Sequence, residues 1–217
     1  MTLPPAPGDW RALAAWRKTR RQEITAARMA LDAATYREKS RAIDRRLEPL
    51  VPALAPMLVG IYWPIRQEFD PLPFARKLIA AGGAVALPVV VGKGQPLEFR
   101  RWTQGARMET GVYDIPYPAD GPAVAPAALI VALLGFDEAG YRLGYGAGFY
   151  DRTFAAAVPR PRAIGVGFEL GRLPTIYPQP HDIPMERILT EAGDFRRKGG
   201  RLVSDQPNPL PTGESAG

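Results

Sequence analysis

Residues 127–154 read AALIVALLGFDEAGYRLGYGAGFYDRTF, and the order of features in this stretch decides the architecture. The apolar run 127–135 reads as a buried strand. It passes through Asp137 into a glycine-dense turn, and helical character returns from Gly148 to Ala157. Glycines at 144, 146 and 148 remove Cβ atoms where backbone N–H groups would converge, and the following helix adds its positive N-terminal end. Such a turn suits an anion, and phosphate is the natural occupant. A turn that merely joins strand to helix is the competing reading of a bare glycine cluster. Arg142 and Asp151 favour the anion, because a guanidinium clamps phosphate and a carboxylate one helical turn in holds magnesium. The spacing G-Y-G-A-G matches neither the dinucleotide fingerprint G-x-G-x-x-G nor the G-K-[ST] ending of a Walker A loop.

Outward from this stretch, further short apolar runs read as buried strands: MLVGIYW (57–63), AVALPVV (84–90), LEFRRW (97–102) and AIGVGF (163–168). Helix candidates lie at Pro73 to Ala81 and Gly148 to Ala157, so the alternation predicts a layered α/β domain with a mostly parallel sheet. The long interval from Val91 to Pro126 predicts an antiparallel excursion, which makes the sheet mixed. Two helices precede the sheet. Asp9 caps the first, residues 9–32, in which Leu13, Trp16, Ile24, Ala27 and Leu31 form a broken apolar stripe beside arginines. Thr35 with Glu38 has the form of a capping box for the second, which runs on through Ile43, Leu47 and Leu50 until Pro49 and Pro52 interrupt it. Beyond Glu191 the apolar periodicity fades. We expect one domain over 1–202 and a disordered tail over 203–217.

Composition narrows the chemistry. The 217 residues include no cysteine, which removes disulfides, thiolate catalysis and Cys-ligated zinc. His181 is the single histidine, so a His-rich metal centre is excluded as well, and a hard cation such as magnesium is the remaining inorganic option. No apolar run approaches the roughly 20 residues of a membrane span, and MTLPPAPGDW lacks the basic start of a signal peptide. The expectation is a soluble, cytoplasmic protein. Residues 1–50 hold eleven Lys/Arg against six Asp/Glu, which is +5 of the net +6. A basic first helix attracts nucleic acid or a small polyanion alike.

The block FDEAGYRLGYGAGFYDR (136–152) resembles the signature of the 5-formyltetrahydrofolate cyclo-ligases. Arg17, Arg21 and Arg28 resemble that family's basic first helix, Glu68 in RQEFDP (66–71) its substrate-facing acidic motif, and HDIPMERILTE (181–191) its closing motif. The resemblance implies a three-layer α/β/α fold and an ATP-dependent ring closure of 5-formyltetrahydrofolate to 5,10-methenyltetrahydrofolate, with release of ADP and phosphate through a phosphorylated formyl group. It implies that Arg17, Arg21, Arg142 and the turn Leu143, Gly144, Tyr145, Gly146, Ala147, Gly148 and Tyr150 bind ATP, with Arg142 and Tyr150 catalytic. Asp151 and Asp182 are the implied ligands of Mg2+, which they share only if the fold brings them together. Glu68, and Tyr113 in GVYDIPYP (111–118), are the implied folate contacts. A monomer is expected.

The chain also departs from the family pattern. Phe168-Glu169-Leu170-Gly171 stands where a Glu-Gln pair is common, Leu97 lies near a frequent methionine, and Pro71 replaces a frequent threonine. These changes bear on substrate contacts, and they leave open a relative that keeps the nucleotide turn but acts on another formylated or carboxylated small molecule. A nucleic-acid-binding module is the alternative of a different class. It ranks low, because the basic residues lack interleaved aromatics.

Overall fold

The structure, a computed structural model, describes residues 8–205. Helix α1 (Trp10–Met29) starts where expected, with Asp9 Oδ1 accepting from the Ala12 N–H at 2.9 Å, and it buries Trp16, Ile24 and Arg28. Helix α2 (Ala33–Leu47) corrects the expected capping box. Its cap is Asp32, whose Oδ1 accepts from the N–H groups of Ala34 (2.8 Å) and Thr35 (2.9 Å), while Oδ2 accepts from Thr35 Oγ1 (2.7 Å). An ionised carboxylate in extended backbone just before the helix takes two orphan donors at once, and it draws Thr35 into the first turn. Pro49 and Pro52 do not end the helical path. They fall at the first positions of a 3-10 turn (Glu48–Leu50) and of α3 (Val51–Leu54), where a missing N–H costs nothing.

The chain then runs through β1 (Leu58–Gly60), α4 (Leu72–Ala80), β2 (Ala84–Val89), β3 (Glu98–Trp102), β4 (Met108–Thr110), β5 (Pro116–Pro118) and β6 (Ala128–Ala132). It continues as β7 (Gly135–Asp137), β8 (Arg142–Leu143), α5 (Phe149–Ala156), β9 (Arg162–Val166), β10 (Arg172–Leu173), β11 (Arg187–Leu189), β12 (Asp194–Lys198) and β13 (Arg201–Ser204). The main sheet has eight strands in the order β13-β12-β11-β9-β6-β1-β2-β3. Its centre, from β2 through β1, β6 and β9 to β11, is parallel, and both margins are antiparallel. The mixed sheet and the excursion after Val91, which holds β3 and the β4–β5 hairpin, are as expected.

Side-chain alternation along β6 builds the two cores. Ala128 and Ile130 face the side covered by α2, α3 and α4, where Ile43, Leu47, Leu54, Phe74 and Leu78 pack. Leu129 and Val131 face the other side, where Phe136 and α5's Phe154 pack. Period-two alternation with both faces apolar is why the strand reads as a continuous aliphatic run, and it yields the three-layer α/β/α arrangement.

Two expectations need correction. The apolar run 127–135 is not one strand: β6 ends at Ala132, and Gly135 opens a smaller sheet, β10-β7-β8. Leu133 instead fills the space over Gly165, so the apolar character persists although the strand has ended. The expected tail also begins too early, since Val203 and Ser204 pair with Arg196 and Phe195. The signal was the Gly199-Gly200 pair, both at positive φ, which joins β12 to β13 as a two-residue hairpin needs. Charged residues on these marginal strands, β13 being the edge, hid them from a hydrophobicity reading. Residues 206–217 of the expected tail lie outside the described residues. Among the described residues, no helix is long and apolar enough to cross a membrane.

Candidate active site

Glu68 follows β1, and the segment that leads through β7 and β8 into the glycine turn follows β6, the parallel neighbour of β1. Carboxyl ends of adjacent parallel strands face the same side, where α/β sheets place their ligands. Asp137, almost fully buried, organises this end. Its Oδ1 accepts from the N–H groups of Ala139 (3.0 Å) and Tyr141 (2.9 Å), and its Oδ2 from the Ile176 N–H (3.0 Å). It therefore caps the turn, as its place at a strand end suggests, and ties the turn to the segment 176–183.

Three arginines of α1, Arg17, Arg21 and Arg28, face this assembly. Arg17 donates through Nε to Ile176 O (3.1 Å) and through Nη2 to Tyr177 O (2.9 Å) and Asp182 Oδ2 (2.6 Å). Arg21 Nε donates to Gly144 O (2.7 Å), and its guanidinium lies against Gly146, where a Cβ would come within 3.3 Å of Cζ. Burial, with the Arg17 charge second, lowers the pKa of Arg21 from its usual value. Arg28, one further turn on the same face, donates to Arg66 O (2.9 Å) and to the Tyr145 hydroxyl (2.8 Å). Positions 17, 21, 24 and 28 share one helix face. Basic residues interleaved with the buried Ile24 could have shown from sequence that this stripe points inward.

Arg142 and Asp151 meet across the turn, Nη2 to Oδ1 at 2.8 Å. Arg142 Nη1 also donates to Ile183 O (3.0 Å), and Asp151 Oδ1 accepts from the Ile183 N–H (3.0 Å). Desolvation lowers the pKa of Arg142, with Asp151 opposing. The turn, α5 and the closing segment are thus one unit. Asp182 adjoins Ile183, so the fold does bring the two aspartates to one end of the sheet, each held by an arginine. Among the described residues no group of three acidic or histidine side chains forms a metal cage. The donor set fits magnesium only as a partner of phosphate oxygens: among the described residues Oδ2 of Asp151 accepts no hydrogen bond, and Oδ1 of Asp182 accepts none and lies 3.8 Å from His181 Nε2.

Glu68 is buried, and burial raises its carboxyl pKa above the usual range. Its Oε2 accepts from the Ile65 N–H (3.0 Å), and its Oε1 from the hydroxyl of Tyr145 (2.6 Å). Burial beside Glu68 pushes Tyr145 up to about 12. The Tyr150 hydroxyl is buried with no hydrogen-bond partner among the described residues. Burial raises its pKa strongly, with Glu68 adding to the rise and Arg142 opposing it, so both charges act on this one hydroxyl. An orphan buried hydroxyl of this kind is a common mark of a functional site.

Other candidates land elsewhere. Leu143 is a core residue, packed with Ile24, Leu134 and Ile176, and only its backbone belongs to the turn. Gly144 and Ala147 offer backbone. Gly146 and Gly148 have positive φ, 100° and 67°, whereas a Cβ on Gly144 would meet nothing. Tyr113 sits 67% exposed between β4 and β5 with φ 63°, and no hydrogen bond or ring contact joins it to Glu68 among the described residues. Where the Glu-Gln pair was expected, Glu169 pairs with Arg172 and accepts from Thr190 Oγ1 (2.7 Å), and Leu170 packs into the core.

A model of the 5-formyltetrahydrofolate cyclo-ligase family matches residues 13–191, a span that takes in the α1 arginines, Glu68, the turn and the closing segment. The chain belongs to this family. A curated 5-formyltetrahydrofolate cyclo-ligase from Mycolicibacterium smegmatis is 33% identical over 141 residues, covering 61% of this chain and 72% of that protein. One from Escherichia coli is 27% identical over 175 residues, covering 77% and 96%. Among solved structures, the 5,10-methenyltetrahydrofolate synthetase of Aquifex aeolicus superposes with a TM-score of 0.71 at 26% identity, covering 87% of this chain and 96% of that one. That of Mycoplasma pneumoniae shares the fold, with a TM-score of 0.67 at 19% identity, covering 81% and 98%. The cyclo-ligase match thus spans the elements that meet at this end of the sheet.

Proposed function

We propose that this cyclo-ligase family member closes 5-formyltetrahydrofolate to 5,10-methenyltetrahydrofolate at the expense of ATP. One observation carries the reading beyond family membership: Arg17 and Arg21, the turn and residues 176–183 converge, although Arg17 and Asp182 stand 165 positions apart. The γ-phosphoryl group passes to the formyl oxygen, which is otherwise a poor leaving group. N10 then attacks the formyl carbon and loses its proton, the carbon–oxygen bond breaks, and that oxygen departs on inorganic phosphate. Positioning and charge neutralisation dominate such chemistry.

Arg17, Arg21 and the turn backbone from Leu143 to Gly148 receive the triphosphate. Arg142 neutralises charge on the transferred group, and the orphan Tyr150 hydroxyl, subject to the charges of both Arg142 and Glu68, donates to the formyl or phosphoryl oxygen. Glu68 holds the folate by accepting from its pterin. Asp151 and Asp182 would hold Mg2+ together with phosphate oxygens, and the cation would supply charge neutralisation. Tyr113 remains a proposed folate contact on sequence grounds, exposed between β4 and β5. The proposal includes action as a monomer in the cytoplasm, a compartment that the lack of cysteine suits.

The test is direct. Purified protein with ATP, magnesium and 5-formyltetrahydrofolate is expected to form the strongly absorbing methenyl product. Folded protein that shows no ATP-dependent absorbance overturns the reading.

A further inference from the structure

Tyr145 stands between Gly144 and Gly146, so its backbone is part of the phosphate turn, gripped from one side by Arg21 on Gly144 O. Its side chain leaves in another direction. The hydroxyl accepts from Arg28 Nη2 at 2.8 Å and donates to Glu68 Oε1 at 2.6 Å. Both partners are nearly sealed from solvent, Arg28 at 2% and Glu68 at 4% exposure. No direct ion pair joins them among the described residues, so one tyrosine hydroxyl connects a buried cation to a buried anion. The Arg66 guanidinium lies 5.7 Å from the Tyr145 ring centre, while the Arg66 carbonyl takes the second Arg28 bond. The carboxylate's other oxygen is already held by Ile65 N–H, so the hydroxyl decides the rotation of Glu68.

We propose that Tyr145 is a positioning residue for the folate: its hydroxyl orients Glu68, so that the turn assigned to the nucleotide phosphates also sets the group that receives the pterin. The physical reason is that a buried carboxylate with one oxygen undonated pays desolvation without compensation and turns away to find a partner. Among the described residues the loop 61–71 gives Glu68 one donor, the Ile65 N–H on Oε2. Tyr145 supplies the second from a turn 77 residues away in sequence.

This rests on Glu68 receiving the folate, and the test separates the two claims. Wild type and Tyr145→Phe are compared for 5-formyltetrahydrofolate and ATP, each by equilibrium binding and by KM, alone and in a Glu68→Gln background. ATP binding by the same sample reports the site-competent fraction, so loss of fold is not mistaken for loss of folate affinity. Expected is a tenfold or greater weakening for folate, ATP binding within twofold of wild type, and less than twofold further change from Y145F once Glu68 is Gln. Equal weakening of both ligands, or a Y145F effect of undiminished size in the E68Q background, overturns the positioning role. An inactive wild type, or an E68Q variant that binds folate normally, overturns instead the reading of Glu68 on which it stands.

Discussion

Arg142 Nη2 lies 2.8 Å from Asp151 Oδ1, with the arginine side chain 5% and the aspartate 19% exposed. The pair is both a candidate catalytic element and a structural clamp, since each partner also bonds the backbone of Ile183. A buried pair that loses one member strands the other charge.

Alanine at either position is therefore expected to cost about 3–5 kcal/mol of stability together with turnover, so alanine alone does not separate function from folding. Asp151→Asn retains an acceptor for the Ile183 N–H and removes the charge. It should lose less stability than the alanine variant, because Arg142 keeps an acceptor although not its countercharge, and lose at least tenfold in kcat in the absorbance assay. An Asn variant with wild-type turnover would remove Asp151 from the site.

Gly144 offers the opposite case. It has no positive φ, and an added Cβ would meet no atom within 4 Å, so the fold places no demand on glycine there. Gly144→Ala should leave stability within about 0.5 kcal/mol, while raising KM for ATP about tenfold by crowding the phosphates. Gly146→Ala, at φ 100°, should instead lower the melting temperature, because the left-handed region costs a side chain about 1–2 kcal/mol. Unaltered ATP affinity in G144A would mark the turn as a mere connector.

Arg17 donates to two carbonyls and one carboxylate with a single planar fork. Lysine offers a point charge and cannot span these acceptors. Arg17→Lys is expected to weaken ATP by more than tenfold while the KM for folate shifts less than threefold, as steady-state kinetics with each substrate varied in turn will show.

Glu68 gives a pH signature. Its folded pKa is raised by burial above the ordinary carboxylate range, so the folded state binds the proton more tightly than the unfolded chain. Stability from this group is full below the unfolded pKa and declines as pH rises through the folded one. Relative to Glu68→Gln, wild type should lose stability from about pH 4.5 upward, as measured by urea unfolding across pH. A constant difference between the two would show that the carboxyl titrates as it does in water.

Much of the layer plan was legible in the chain. Aliphatic runs of strand length, separated by amphipathic segments, specify a buried parallel sheet, because a strand covered on both faces has to be apolar at every position. The glycine turn and its flanking Arg142 and Asp151 were equally plain, since glycine's conformational freedom and a guanidinium's charge are local properties. Local signals failed where two candidates competed nearby, as when Asp32 outbid Thr35 for the cap. They also failed where charge masked pairing, as in β12 and β13.

The partnerships belong to tertiary structure alone. Sequence places Arg17, Glu68, Tyr145 and Asp182 at four unrelated positions, and no periodicity says which will meet. Parallel strands β1 and β6 set the loops after them side by side, and α1 folds back over both. Arg28 and Tyr145 acquire their roles only there, because a hydrogen bond depends on a distance of about 3 Å that chain order does not encode. The local conformation of the turn was written in its glycines; the identity of its partners was decided by packing.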